Sequence, residues 1–321
     1  MLNPPHHTRT RRSLGRIFDR NFPESLRPTI ESAVEESLDR FFSELQQGPA
    51  DFCAFVSEEI PVITFGEWMH IPRVDFGILR SLTHDQVHTQ ELFPSRSQLA
   101  LSDSATSQLR QYFTELIKAR RQEPGADPVS SLLRTWDALE SDQDRADDAV
   151  HSLVLFLLLA ALETTSHVLS STVRLLLQHP QQMELLRSRP DLIQDAVEEV
   201  LRYDPPIHMI SRVAAKDTDL NGVMVRKGEM VQLMTGAAHH DPHQYTDPHT
   251  FDIRRSAAPH LSFGLGIHYC LGNALARMEA QVLLTSLLKR PARLRMSGPA
   301  QWARRVAFRC TLSLPLTHTD A

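Results

Sequence analysis

Cysteine is scarce in this chain: three in 321 residues, Cys53, Cys270 and Cys310, set far apart. An odd, scattered set argues against a disulfide framework and for a reducing compartment, so the cytoplasm is the expected location. No apolar run exceeds the ten residues from Leu153 to Leu162. That is well under the roughly 20 residues that span a bilayer, so no membrane span is expected and the run reads as a buried helix. Neither sign of charge dominates, and a net charge of −5 gives no bulk attraction to nucleic acid or to an anionic membrane. Internal repeats and low-complexity tracts are lacking. Arg9, Arg11, Arg12, Arg16 and Arg20 crowd the start, but Asp19 and Glu24 follow and no cleavable apolar region accompanies them. A surface helix accounts for them better than a transit peptide.

What is present is an ordinary globular composition, 41% hydrophobic and 23% charged, enough to bury a sizeable core as one large domain or two. Helical periodicity predominates. It predicts helices over Pro5 to Asp19, Leu26 to Leu45, Asp103 to Arg121, Asp127 to Leu139, Pro190 to Arg202 and Leu271 to Leu288. The longest candidate runs from Asp147 to Gln178, just before Pro180, and its apolar middle predicts a central position. Val213 to Val225 and Met230 to Leu233 read as short strands broken by turns at Asn221-Gly222 and Lys227-Gly228. Residues 237 to 259 read as an irregular meander, and Val306 to Leu316 alternates like a strand pair.

The most informative stretch is Phe263-Gly264-Leu265-Gly266-Ile267-His268-Tyr269-Cys270-Leu271-Gly272, a glycine-spaced loop that delivers one cysteine and enters a helical stretch containing Leu275-Ala276-Arg277. Glycines let a backbone pass close under a flat macrocycle, and a following helix N-terminus favours a negative sulfur. Taken alone, Cys270 is as well explained as a buried free thiol. The full stretch resembles the cytochrome P450 signature F-G-x-G-x-H-x-C-L-G followed by L-A-R. The resemblance implies a mainly α fold with a small β region, haem b bound through the Cys270 thiolate as the metal ligand, and cofactor-binding roles for Phe263, Gly264, His268 and Gly272.

Further segments carry the same resemblance. Ala160-Ala161-Leu162-Glu163-Thr164-Thr165 sets an acid and two hydroxyls in an apolar segment, where an unpaired carboxylate is costly. In an isolated helix, Thr164 bonding back to the preceding turn with Glu163 in solvent explains it equally well. The segment is similar to the family's A-G-x-E-T-T motif, with Ala161 where glycine is usual, beside the cofactor. The similarity implies that Thr164 holds dioxygen and a water at the iron and that Glu163 relays protons from solvent, the two catalytic assignments. Glu199 and Arg202, by themselves an ordinary surface ion pair, match the family's E-x-x-R, followed by Tyr203-Asp204-Pro205-Pro206. A meander arginine completes that lock, and Arg254 is the expected partner.

His7 and Arg11 resemble the H-x-x-x-R of the family's C helix. With Arg212 and His268 they occupy the positions that hold haem propionates in the family, a task suited to the guanidinium fork. The histidines His239, His240, His243 and His249, with Asp241, fit no common zinc spacing, and a second metal is not expected.

Similarity runs from Pro4 to Leu316, so a single cytochrome P450-like domain over 1–321 is expected: helix-rich 1–206, small sheet, meander and cysteine loop 207–270, final helix and β tail 271–321. Residue 1 falls just before the C helix. A truncated sequence of an ordinary enzyme, a naturally short variant using a partner chain and a decayed gene are the competing explanations, the first favoured because the later motifs are intact. The implied function is a monomeric haem-thiolate monooxygenase that inserts one oxygen atom of O2 into a small apolar substrate lined by Phe156 to Ala160, Ile207 to Ile210 and Phe308 to Thr311. Its electrons come from a ferredoxin or flavodoxin with its reductase, docking on a patch of Arg9, Arg12 and Arg16. No nucleic acid or membrane partner is implied. The alternatives are a peroxide-driven peroxygenase and a non-catalytic haem-binding or pathway-docking module.

Overall fold

The computed structural model describes residues 3–255 and 259–319. Its helices in chain order are α1 (His6–Leu14), α2 (Phe22–Leu45), α3 (Glu59–Trp68), α4 (Phe76–Gln86), α5 (Arg96–Gln122), α6 (Pro128–Asp137), α7 (Gln143–Gln178), α8 (Pro180–Ser188), α9 (Ile193–Tyr203), α10 (Thr235–Ala238) and α11 (Asn273–Lys289). The predicted mainly α architecture is therefore present. Helix starts follow local chemistry. Ser95 forms a capping box with Gln98, and the carboxylates of Asp127 and Asp142 accept first-turn backbone N–H groups of α6 and α7. Helix α1 is shorter than predicted; beyond Leu14 the chain tightens into a turn in which Ile17 N–H bonds to Leu14 O.

Helix α7 is the centre. Its N-terminal half packs in one apolar cluster with α3, α4, α5 and α6, and its C-terminal half in a second with α2, α8, α9 and α11. It is the one helix among the described residues long and apolar enough to cross a bilayer, with mean hydropathy 1.8, yet 61% of that window is buried in the protein. It is the axis around which the other helices gather.

Helices α3 and α4 carry no clear sequence signal. The α3 stretch, Glu-Ile-Pro-Val-Ile-Thr-Phe-Gly-Glu-Trp, is rich in β-branched residues, and burial of Ile60 through Gly66 holds it helical. Gly66 is required there by contact, because a Cβ would sit 2.0 Å from the Phe76 ring.

The strands are short: β1 (Ala50–Asp51), β2 (Ile210–Val213), β3 (Thr218–Leu220), β4 (Val223–Val225), β5 (Met230–Leu233), β6 (Arg293–Met296), β7 (Gln301–Trp302), β8 (Thr311–Ser313) and β9 (Pro315–Thr319). Asn221 and Gly222, both at positive φ, make the tight β3–β4 turn as predicted. The tail is a correction, because residues 306–316 do not pair with each other. Strand β8 pairs with β7, β9 pairs with β6 and β1, and 303–310 is a loop. Its backbone is satisfied elsewhere: Arg309 N–H bonds to Pro206 O, His208 N–H to Ala307 O, and the Glu91 carboxylate accepts the N–H groups of Val306, Ala307 and Phe308.

One core residue is out of place by polarity. Glu279 of α11 is 3% exposed, and among the described residues its carboxyl has no ion-pair partner, the Thr64 hydroxyl easing its burial slightly. Burial pushes it up to about 8, the hydroxyl offsetting a little. A carboxyl that keeps its proton when folded but loses it when unfolded favours unfolding increasingly as pH rises from about 4.5 to about 8. Glu279→Gln should leave the urea midpoint nearly unchanged at pH 5 and raise stability by a few kcal/mol, at roughly 1.4 kcal/mol per pH unit over that window, at pH 8. An equal effect at both pH values would reject this account.

Candidate functional site

The cysteine loop is a closed turn. Gly264 and Gly266 both take φ of 70°, a left-handed conformation that strains any other residue. Leu261 O accepts the Gly264 N–H, Gly266 O accepts that of Tyr269, and Phe263 O accepts the Cys270 N–H at 2.9 Å. The loop is tied to α11, whose Asn273 side chain donates to Cys270 O at 2.8 Å and whose Arg277 lies over the Phe263 ring at 4.3 Å while chelating Glu198.

Of the three free thiols, Cys53 and Cys310 are buried and Cys270 is partly accessible. Burial pushes all three upward, Cys310 to about 12. Only Cys270 combines a backbone N–H, from Gly272, with two nearby guanidinium groups, Arg11 and Arg277, that favour its negative form.

Beside the loop stands a cluster of cations and imidazoles from three segments. The His7 and His268 rings lie 4.4 Å apart, Arg11 of α1 donates to Tyr269 O at 2.6 Å, and among the described residues the Arg212 side chain of β2 donates only to Ser211 O. Partial burial, His7 and the charges of Arg212 and Arg11 push His268 downward. Among the described residues no carboxylate lies within ion-pairing distance of these four. A site with an accessible cysteine, uncompensated cations and exposed apolar residues, including Leu265 at 71% and Ile267 at 55%, fits a flat, largely apolar, dianionic metal macrocycle such as haem.

Helix α7 supplies the next wall. Phe156 (57% exposed) and Ala160 form an accessible stripe in the middle of the helix, with Ala161 half-buried beside them. The Thr164 hydroxyl donates to Ala160 O at 2.7 Å. Glu163 departs from the expectation of a solvent-facing acid. It is 7% exposed, ion-paired to Arg305 at 2.5 Å and 3.2 Å from His84 Nδ1. His84 and Arg305 are residues that sequence reading missed. They lie far from Glu163 along the chain, and no local pattern marks them.

The scaffold pair is buried. Arg202, 2% exposed, donates to both Glu199 oxygens at 2.7 and 2.8 Å and to His239 O and Pro248 O. The third member is Arg255, at 3.2 Å from Glu199, and the expectation of Arg254 is corrected. Arg254 is held by Asp252, whose backbone N–H instead donates to Glu199. The buried His239 ring, pushed down to about 4 mainly by burial, accepts the Leu261 N–H and so ties the scaffold to the cysteine loop. Among the described residues no histidine–acid group is arranged for a metal ion. His240 bonds to two backbone carbonyls and stacks on His249. The expected patch of Arg9, Arg12 and Arg16 is partly corrected, since Arg9 bonds to Leu139 O and Glu140 and covers Trp136, whereas Arg12 and Arg16 are exposed.

A family model described as Cytochrome P450 matches residues 78–290. The chain is 38% identical to the biotin biosynthesis cytochrome P450 of Bacillus subtilis over 98% of its own length and 78% of that protein's. It is 33% identical to 6-deoxyerythronolide B hydroxylase of Saccharopolyspora erythraea, over 98% and 76%. Among solved structures, P450BioI in complex with an acyl carrier protein ligated to hexadec-9Z-enoic acid superposes with a TM-score of 0.91 at 35% identity, covering 98% of this chain and 80% of that one. The Bacillus subtilis bacillaene synthase enzyme PksS superposes at 0.89 with 32% identity, over 99% and 80%.

Proposed function

Because the chain belongs to the cytochrome P450 family of haem b monooxygenases, we propose that it oxygenates a small apolar molecule at a site between α7 and the Cys270 loop. The carrying observation is the meeting of Cys270 with the uncompensated cluster of His7, Arg11, Arg212 and His268. Cys270 Sγ would hold the iron, and Gly264 and Gly266, at positive φ, would keep side chains out of the way of the bound group. Arg11 and Arg212, with His7 and His268, hold the propionates. The haem supplies oxygen activation, assisted by the electron-donating thiolate.

The other tasks belong to the chain's own side chains. Phe156 and Ala160 present apolar surface to the substrate, together with Ile207 and Phe308, which are paired across one β-bridge. Thr164 Oγ1 holds a proton at the edge of this stripe, and Glu163 returns protons to it from the buried side of α7. The reaction consumes O2, two electrons and two protons. One oxygen atom enters a C–H or C=C bond and the other leaves as water. The electrons come from a ferredoxin or flavodoxin with its reductase, docked against Arg12, Arg16 and the rest of the cationic α1 surface, in the cytoplasm. The relative bound to a fatty-acyl carrier protein makes carrier-bound acyl chains one substrate form to assay.

Haem-loaded protein should turn over with surrogate reductases and not with peroxide alone. Thr164→Ala should divert the electrons to peroxide and lower product by about a hundredfold, the lower range for a positioned proton donor. Unchanged coupling in that variant would reject the role of Thr164.

A further inference from the structure

Around Glu163 of α7 lies a second constellation. A cavity of about 480 Å³ opens between α4, the start of α5 and the β7–β8 loop, and His84, Asp85, His88, Arg304 and Arg305 line it with Glu58. Among the described residues two side chains that line this cavity also reach Glu163, His84 and Arg305, and of the two only the imidazole can release and regain a proton. Its Nδ1 lies 3.2 Å from Glu163 Oε1 and its Nε2 3.6 Å from Glu58 Oε2. The ring is 29% exposed, whereas the Glu163 side chain is 6% exposed and closed off on its other oxygen by Arg305. Water reaching the cavity therefore meets the imidazole before it meets the acid.

We propose that His84 is the residue through which this cavity governs protonation of Glu163, a positioning residue for the relay that touches neither substrate nor cofactor. The proposal rests on the relay role given above to Glu163 and Thr164. The imidazolium passes its Nδ1 proton to the Glu163 carboxylate at Oε1, and the carboxyl so formed then yields that proton toward Thr164. The neutral ring rotates and regains a proton from cavity water beside Glu58. Each cycle moves one proton from water to the Thr164 side and returns His84 and Glu163 to their starting charges.

The groups facing His84 support a charged ring. Glu163 stands on α7 and Glu58 at the N-cap of α3; the latter's neighbour Glu59 is already engaged by Arg40 and Arg80. Arg304 and Arg305 lie on the β7–β8 loop, and Asp85 and His88 on its own side of the cavity. The carboxylates of Glu163 and then Glu58, whose oxygens stand 3.2 and 3.6 Å from the ring nitrogens, outweigh the cost of burial and raise His84 to about 9. The imidazolium is thus the resting form at neutral pH, and the supply fails as pH rises through about 9.

The test uses haem-loaded protein labelled with 13C,15N-histidine, in its diamagnetic ferrous carbon monoxide form, with His84 assigned by its loss in His84→Gln. His84 should titrate near 9, and its midpoint should fall in Glu163→Gln and in Glu58→Gln. The fraction of electrons released as peroxide should rise through the same midpoint in the unmodified enzyme. That inflection should vanish in His84→Gln, and His84→Lys, which keeps a cation there, should hold peroxide low to higher pH. An ordinary histidine midpoint, or one unmoved by Glu163→Gln, overturns the proposal, as does an inflection that survives in His84→Gln. If Glu163→Gln leaves the peroxide fraction unchanged while the NMR midpoint shifts as expected, the relay itself has failed and the inference falls with it. If Glu163→Gln raises peroxide but His84→Gln does not, only the role of His84 falls.

Discussion

Cys270→Ala is expected to abolish the thiolate-type carbon monoxide spectrum of the reduced, haem-loaded protein and to reduce monooxygenase product to background. The loop shape does not depend on the thiol: Gly264 and Gly266 set the turn, and the Cys270 N–H bond to Phe263 O closes it. The variant should therefore keep its helical content and unfold near the same midpoint. The lost function is specific to sulfur. In the metal-free protein burial disfavours the thiolate, and the Gly272 N–H, Arg11 and Arg277 only partly offset it. Iron binding must therefore release the thiol proton, so haem incorporation should weaken as pH falls. A thiolate-type band retained in Cys270→Ala would overturn the ligand assignment.

Arg202→Met is expected to destabilise the protein by about 3–5 kcal/mol, the range for removing one partner of a buried ion pair. Five bonds disappear together. Glu199 is left buried with Arg255, the His239 carbonyl loses its Arg202 donor, and Pro248 O keeps only its contact with His240. His239 also accepts the Leu261 N–H at the entry to the cysteine loop, so haem retention should fall along with the urea midpoint. Glu199→Gln with Arg202→Met should cost less than Arg202→Met alone, because no charge is then left underpaired. Urea unfolding of the three variants checks this, and wild-type stability in Arg202→Met would refute the scaffold role.

Residue-by-residue contrasts explain what could be read early. The Cys270 loop was legible because its chemistry is local: glycines, thiol and helix start follow one another within a single turn of chain. Glu199 and Arg202 were legible as a pair for the same reason, one helical turn apart. Their third partner was not. Arg254 and Arg255 are adjacent and chemically identical, and the choice fell to Arg255 because Asp252 captures Arg254 locally. The Thr164 back-bond to Ala160 followed from spacing along α7, but the fate of Glu163 did not, since Arg305 of the β7–β8 loop and His84 of α4 come from distant parts of the chain. Helix α3 went unseen because its β-branched residues and Pro61 argue against a helix, and only burial on several sides overrules them.

By itself the amino-acid sequence determined the helical character, the central α7, the glycine-shaped loop that carries Cys270 and the family to which these belong. Each rests on periodicity or on neighbours along the chain. The tertiary structure alone decided which charges meet: Arg255 on Glu199, the unpaired cations gathered around His268, and His84 between Glu163 and an outer cavity. The physical reason is range. Local propensity acts over a few residues, whereas the energy of a buried charge depends on whatever distant group packing brings within a few ångströms.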